Sequence, residues 1–225
     1  MVRVYEIDKL VAAARQNGWA SAVCPAVRLE AEIPWSTYTV VPGRSQTGGF
    51  EDLKPAAPDK ARPRSLSAIF GHQRQPLHTD GAHLAIPPDI VILAVDSPSS
   101  VSTLLWRQTT RGFADIGDDL QHGLFAVDDG QTSFLAPACV GWPTLSGGRV
   151  RFDPGCMTPV DSRARRVVGH FSKAIDSATQ FAWTEPNQVL VIDNRNVLHA
   201  RDNVVDEPDR LMRRLMLRAD SENLL

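Results

Sequence analysis

The sequence predicts a mainly β chain with flanking helices, closed into a barrel or jelly roll. Three observations predict it. From Ser65 onward the apolar runs are short and rich in Val, Ile, Leu and aromatics. Turn residues separate them: Pro87-Pro88, Ser97-Pro98-Ser99-Ser100, Asp128-Asp129-Gly130 and Gly147-Gly148. Only a few stretches carry helical spacing. The 225 residues fit one domain spanning 1–225, and 43% hydrophobic residues exclude a disordered chain.

The first element is a short helix over 7–17. Leu10, Val11 and Ala14 share a face, Asp8 sits in the first turn, and Asn17-Gly18 stops it. Residues 20–41 alternate loosely and predict short strands. Residues 42–64 hold four prolines, three glycines and many charges, with Phe50 and Leu53 the only large apolar groups. That composition predicts a long loop serving as a lid. Strands follow at Ile90–Asp96, Thr103–Gln108, Ser133–Val140, Val150–Phe152, Gln188–Asp193 and Arg213–Ala219. Helices are expected near Ile116–Gly123 and over 161–178, where Ala164, Val167, Val168, Phe171, Ile175 and Ala178 recur at helical spacing. Trp142 and Trp183 read as core.

Charge and cysteine usage narrow the function. Lys plus Arg is 24 and Asp plus Glu is 26, a net charge of −2, so nothing pulls the whole chain toward nucleic acid or an anionic membrane. Cys24, Cys139 and Cys156 are an odd number and far apart, as reduced thiols in a cytoplasmic protein would be. The N-terminal MVRVYEIDKL carries charges where a signal peptide has its apolar core. Ile90 to Val95, the longest aliphatic run, is about a third of the roughly 20 residues that a membrane helix needs. A cytoplasmic protein with a small-molecule substrate is expected.

The chemistry concentrates in three places. In a strand, His78 and Asp80 of His78-Thr79-Asp80 would project from one face and could bind one cation; the bland alternative is a His–Asp hydrogen bond at a turn. The apolar run Val189–Ile192 leads into Asp193-Asn194-Arg195-Asn196 and on to His199, which supplies a third ligand. Two histidines and one carboxylate leave three adjacent positions open on a metal such as Fe(II). In Arg213–Ala219, Arg214, Met216 and Arg218 share a face; arginines pointing into a barrel need an anion.

These pieces, with Pro76-Leu77-His78-Thr79-Asp80-Gly81, Thr103-Leu104-Leu105-Trp106 and Val191-Ile192-Asp193-Asn194-Arg195, resemble the Fe(II)/2-oxoglutarate-dependent dioxygenases of the taurine dioxygenase and clavaminate synthase-like family. The resemblance runs from Ser65 to the end. It implies a double-stranded β-helix, with His78, Asp80 and His199 as metal ligands and catalytic centre. It further implies Arg214 and Thr103 holding the distal carboxylate of the 2-oxoglutarate cosubstrate, and Arg218 contacting cosubstrate or substrate. The implied reaction uses O2 to oxidise a C–H bond of an amino-acid-like or specialised metabolite, releasing succinate and CO2.

Arg74, His83 and Arg151 are the candidate substrate residues, although a satisfied loop histidine is the plainer reading of His83. Arg201 reads as ordering its turn. A cupin-type metalloenzyme without 2-oxoglutarate and a non-catalytic module on the same fold are the alternatives. Arg214 with Thr103 speaks against the first, and an intact ligand triad against the second.

Overall fold

The computed structural model describes residues 6–43, 48–108, 110–141 and 148–219, the side chains of 110–114 excepted. Its elements are α1 (Glu6–Asn17), β1 (Trp19–Val23), α2 (Ala26–Ala31), β2 (Tyr38–Val40), β3 (Glu51–Leu53), α3 (Leu66–Phe70), β4 (Ile90–Ala94), β5 (Ser99–Arg107) and α4 (Thr110–His122). There follow β6 (Leu124–Asp128), β7 (Ser133–Pro137), β8 (Cys139–Val140), β9 (Arg149–Val150), β10 (Met157–Pro159), α5 (Ser162–Ala174), β11 (Thr179–Trp183), β12 (Gln188–Asp193), β13 (Val197–Arg201) and β14 (Met212–Ala219).

The main sheet runs β1-β12-β4-β14-β2, with β3 also on β14. Every pairing in it is antiparallel. Its central strands β4 and β12 carry near-continuous apolar runs because both faces are covered, while β14 interleaves arginines with its apolar residues. Ile90, Ile92 and Ala94 of β4, with Val189 and Val191 of β12 and Leu215 and Leu217 of β14, pack under Ile7, Leu10, Val11 and Ala14 of α1 and Leu29 of α2. The alternate residues Val91, Leu93, Leu190, Ile192 and Met216 face the other way, toward Leu105 of β5, Trp183 of β11 and Val197 of β13. These last three belong to the smaller sheet β11-β5-β13. The two sheets thus enclose a core, and Arg214, two residues before Met216, shares its inward face.

Behind the smaller sheet a second core joins Leu104 and Leu198 to α5 and to β6 of the sheet β10-β6-β7. Asp161 starts α5 by accepting from the Ala164 N–H at 2.7 Å, and Ala164, Val167 and Phe171 form its buried face.

Several expectations are corrected. Residues 20–41 are not all strand: Pro25 opens α2, whose Leu29 fills the space under β14. The 42–64 stretch is not loop throughout, because β3 pairs with β14 from Leu53↔Met212 to Glu51↔Arg214. Ser133–Val140 breaks into β7 and β8. Strands β6, β10, β11 and β13 and helix α3 lay outside the predicted set; β10 is short, and β11 has a register shift between Phe181 and Trp183. Residues 44–47, Trp142 and Gly147 lie outside the described residues. The three cysteines are free, Cys139 and Cys156 buried. No helix among the described residues is long and apolar enough to cross a membrane.

Candidate functional site

His78 and Asp80 are not on a strand. His78 forms a single bridge with His199, each backbone N–H donating to the other's carbonyl at 2.9 Å. The chain then turns at Gly81, whose φ of +67° is a left-handed value that suits glycine. Thr79 points away, its hydroxyl toward the Val150 carbonyl at 3.4 Å. The bridge sets the two imidazoles 4.6 Å apart, and the turn swings Asp80 beside them. One potential ligand atom from each of His78, Asp80 and His199 lies within 4.8 Å of the others.

The details suit a cation. His78 Nδ1 lies 3.1 Å from the Pro76 carbonyl, which fixes the tautomer that leaves Nε2 a lone pair. His199 Nε2 lies 3.3 Å from Asp80 Oδ2, close to the roughly 3 Å between adjacent octahedral ligands at about 2.1 Å from a metal. His199 Nδ1 is buried without a partner among the described residues. Burial, with His199 alongside, pushes His78 down to about 3, so its ring is neutral. Burial alone would raise Asp80, but the Arg214 guanidinium and His199 hold it well below the usual carboxylate range. A neutral His78 imidazole and an ionised Asp80 carboxylate, beside the His199 ring, form a donor set for a divalent first-row metal.

The triad borders a cavity of about 450 Å³, in the range of small-molecule sites. Thr103 and His83 also line it. Thr103 is buried on β5 and its hydroxyl accepts from Trp183 Nε1 at 3.0 Å. Arg214 lines it as well, but as a cation already engaged. Its Nη1 donates to Asp80 Oδ1 at 2.5 Å, its Nε to Glu51 Oε1 at 2.9 Å, and its Nη2 to the same Glu51 oxygen.

Three expected residues lie elsewhere. Arg74 is half exposed and pairs with Asp202 at 2.9 Å. Arg151 is buried over the Phe134 ring and donates to the Ala82 and Ala85 carbonyls, holding the turn after Asp80. Arg218 donates to the Ile86 carbonyl at 2.7 Å. All three serve backbone or surface partners and do not border the cavity.

Among the lining residues that were not expected are Glu51, Arg201 and Arg210. Arg201 does order its turn, Nη2 reaching the Gly71 and Gln73 carbonyls at 2.6 and 2.8 Å. Arg210 donates to the Val101 carbonyl at 3.1 Å. Neither has a carboxylate within ion-pair distance among the described residues, and the Nε of each is buried without a partner. Burial pushes both down to about 10; at Arg210 the more distant Glu207 opposes the shift and Arg201 adds to it. Two of these signals were readable: Arg201 follows His199 by two residues on one strand face, and Arg210 stands two before Met212 on the face of Arg214. Glu51 sits in a stretch whose composition suggests only loop.

No family model matches the chain. Solved structures do. An asparagine oxygenase in complex with Fe(II), 2S,3S-3-hydroxyasparagine and succinate superposes with a TM-score of 0.64 at 17% identity, over 92% of this chain and 77% of that one. The non-heme iron oxygenase OrfP in complex with Fe and alpha-ketoglutaric acid gives 0.59 at 22% identity, over 82% of this chain and 61% of its own length. A mutant of OrfP in complex with (3S)-hydroxy-L-Arg gives 0.60 at 21%, over 81% of this chain and 62% of that one. The chain shares their fold. That fold is the double-stranded β-helix, and the paired main and smaller sheets are its two walls.

Proposed function

We propose that the protein is an Fe(II)- and 2-oxoglutarate-dependent oxygenase acting on a C–H bond of an amino-acid-like small molecule. The observation that carries this is the meeting of His78, Asp80 and His199 at a cavity whose lining includes Arg201 and Arg210, neither with a carboxylate in contact among the described residues. The triad would hold Fe(II), which with 2-oxoglutarate and O2 supplies the oxidising chemistry, with release of succinate and CO2.

The chain's own residues then have separate tasks. Arg214 holds Oδ1 of Asp80, which orients the carboxylate and keeps it ionised, and Asp80 would be a ligand of the metal together with His78 and His199. The distal carboxylate of the cosubstrate is placed on Thr103 and Arg210, with Arg201 adjacent, rather than on Arg214. Charge supports this reading: Arg214 is paired with Asp80 and Glu51, whereas Arg210 lines the cavity with an unused donor and no carboxylate in contact among the described residues. Glu51, which borders the cavity beside Arg214, suits the ammonium group of an amino-acid-like substrate. The hydroxylated asparagine and arginine bound by the two oxygenases of like fold support an amino-acid-like substrate. His83 completes the wall. The 42–64 stretch, anchored through β3, is the lid of a single domain, and the setting is cytoplasmic biosynthesis.

Anaerobically iron-loaded protein, screened with 2-oxoglutarate against free amino acids and their derivatives, should release one succinate per oxidised substrate on admission of O2. Absence of cosubstrate binding by the iron-loaded protein would overturn the reading.

A further inference from the structure

We propose that Asn194 is a positioning residue, whose side-chain amide replaces a missing strand pairing and holds Asp80 in ligand geometry. The inference rests on the metal-site reading above.

Asp80 has a placement problem. The backbone ladder ends at His78, and Asp80 lies in the turn beyond. Its own N–H and carbonyl therefore have no strand partner, yet the residue is buried. Orphaned backbone groups there would be costly and would leave the turn loose.

Asn194 resolves both. Its Oδ1 accepts from the Asp80 N–H at 3.1 Å, and its Nδ2 donates to the Asp80 carbonyl at 3.0 Å. One planar amide thus pairs with one residue through a donor and an acceptor, as a neighbouring strand would. The second amide hydrogen goes to the Pro88 carbonyl at 2.9 Å, at the far end of the same turn. Asn194 is itself buried and fixed, its backbone N–H donating to the Asp89 carbonyl at 3.0 Å.

The position of Asn194 gives the clamp its purpose. It stands between β12 and β13, and β13 carries His199. The turn that launches one ligand therefore grips the backbone of another. Ligand sets need placement to roughly 0.5 Å, and outer partners of ligands typically change metal affinity about 10- to 100-fold.

Asn196 provides the control. It sits in the same turn and donates to Asp193 at 2.8 Å, without touching Asp80. The probe is Co(II), read by its visible absorption, and Fe(II) under anaerobic conditions. Asn194→Ala should weaken both metals about 10- to 100-fold. Asn196→Ala should loosen the turn and lower the melting temperature but leave metal affinity within about twofold. Asn194→Asp keeps size and acceptor but faces two carbonyls without a donor, so it should fold and bind metal more weakly than wild type; it carries the test if the alanine variant does not fold. Wild-type affinity in both Asn194 variants, or an equal loss in Asn196→Ala, overturns the proposal. A wild-type protein that binds neither metal overturns the site reading beneath it.

Discussion

Replacing Arg210 with methionine should separate cosubstrate binding from everything else the cavity does. Arg210 is a half-buried cation whose Nε has no acceptor among the described residues, with Glu207 attracting it from beyond ion-pair distance and Arg201 repelling it. Truncating one partner of a desolvated charge pair costs about 2–5 kcal/mol. Even the lower figure weakens 2-oxoglutarate roughly 30-fold, at about 1.4 kcal/mol per decade. Metal affinity should be unchanged, because Arg210 touches none of the triad. Stability of the unliganded protein should hold or rise, since a half-buried charge without a contacting carboxylate is removed. Arg214→Met predicts the opposite pattern. It strips Asp80 and Glu51 of their shared cation, and breaking such a buried network costs about 3–5 kcal/mol. For a chain of this size that lowers the melting temperature on the order of 10 °C. Anaerobic titration of iron-loaded protein, followed by calorimetry and visible absorption, reads affinity; a thermal melt reads stability. A roughly 30-fold loss in Arg214→Met beside unchanged affinity in Arg210→Met would put the distal carboxylate back on Arg214 and refute the charge argument.

Other outcomes follow from the same geometry. His199→Ala, or exhaustive chelation, should abolish both metal binding and turnover; retained turnover would remove the triad from the chemistry. Glu51→Gln should raise KM for an amino-acid substrate more than it lowers kcat, measured by substrate-dependent succinate release, because the ammonium partner is lost while Asp80 stays paired. Hydrogen exchange over residues 55–64 should slow when metal, cosubstrate and substrate are all present, with the β3 amides already protected; identical exchange in both states would make the stretch a passive surface segment. Saturating chloride should give no chlorinated product, because Asp80 supplies a ligand atom that a halide would have to displace.

The sequence displays the parts of this molecule whose signal is local. The apolar runs of β4 and β12 are strands because both faces are buried, and the spacing in α1 and α5 matches the faces that pack. His78, Asp80 and His199 were legible because ligand chemistry restricts residue type. What was hidden depends on long-range pairing. The two-residue spacing of His78 and Asp80 suggests a strand, but one bridge and a glycine turn bring the groups together instead. Arg151 and Arg218 looked like ligand-binding cations, yet they reach backbone carbonyls of distant turns and do not border the cavity. Glu51 was invisible for the converse reason: three residues of β3 are too few for a periodic signal, and only the register with β14 sets Glu51 against Arg214.

The His78–His199 bridge also has a meaning for folding. It joins segments more than a hundred residues apart in the chain. A cation held by both rings and by Asp80 would act as a reversible cross-link at that junction, adding to the few backbone hydrogen bonds that already join the two segments. Such a link contributes stability that grows with free metal concentration, about 2.7 kcal/mol at roughly a hundred times the dissociation constant. The ion would then govern how firmly these two segments stay joined as well as the chemistry beside them, so that depletion of metal would cost stability together with turnover.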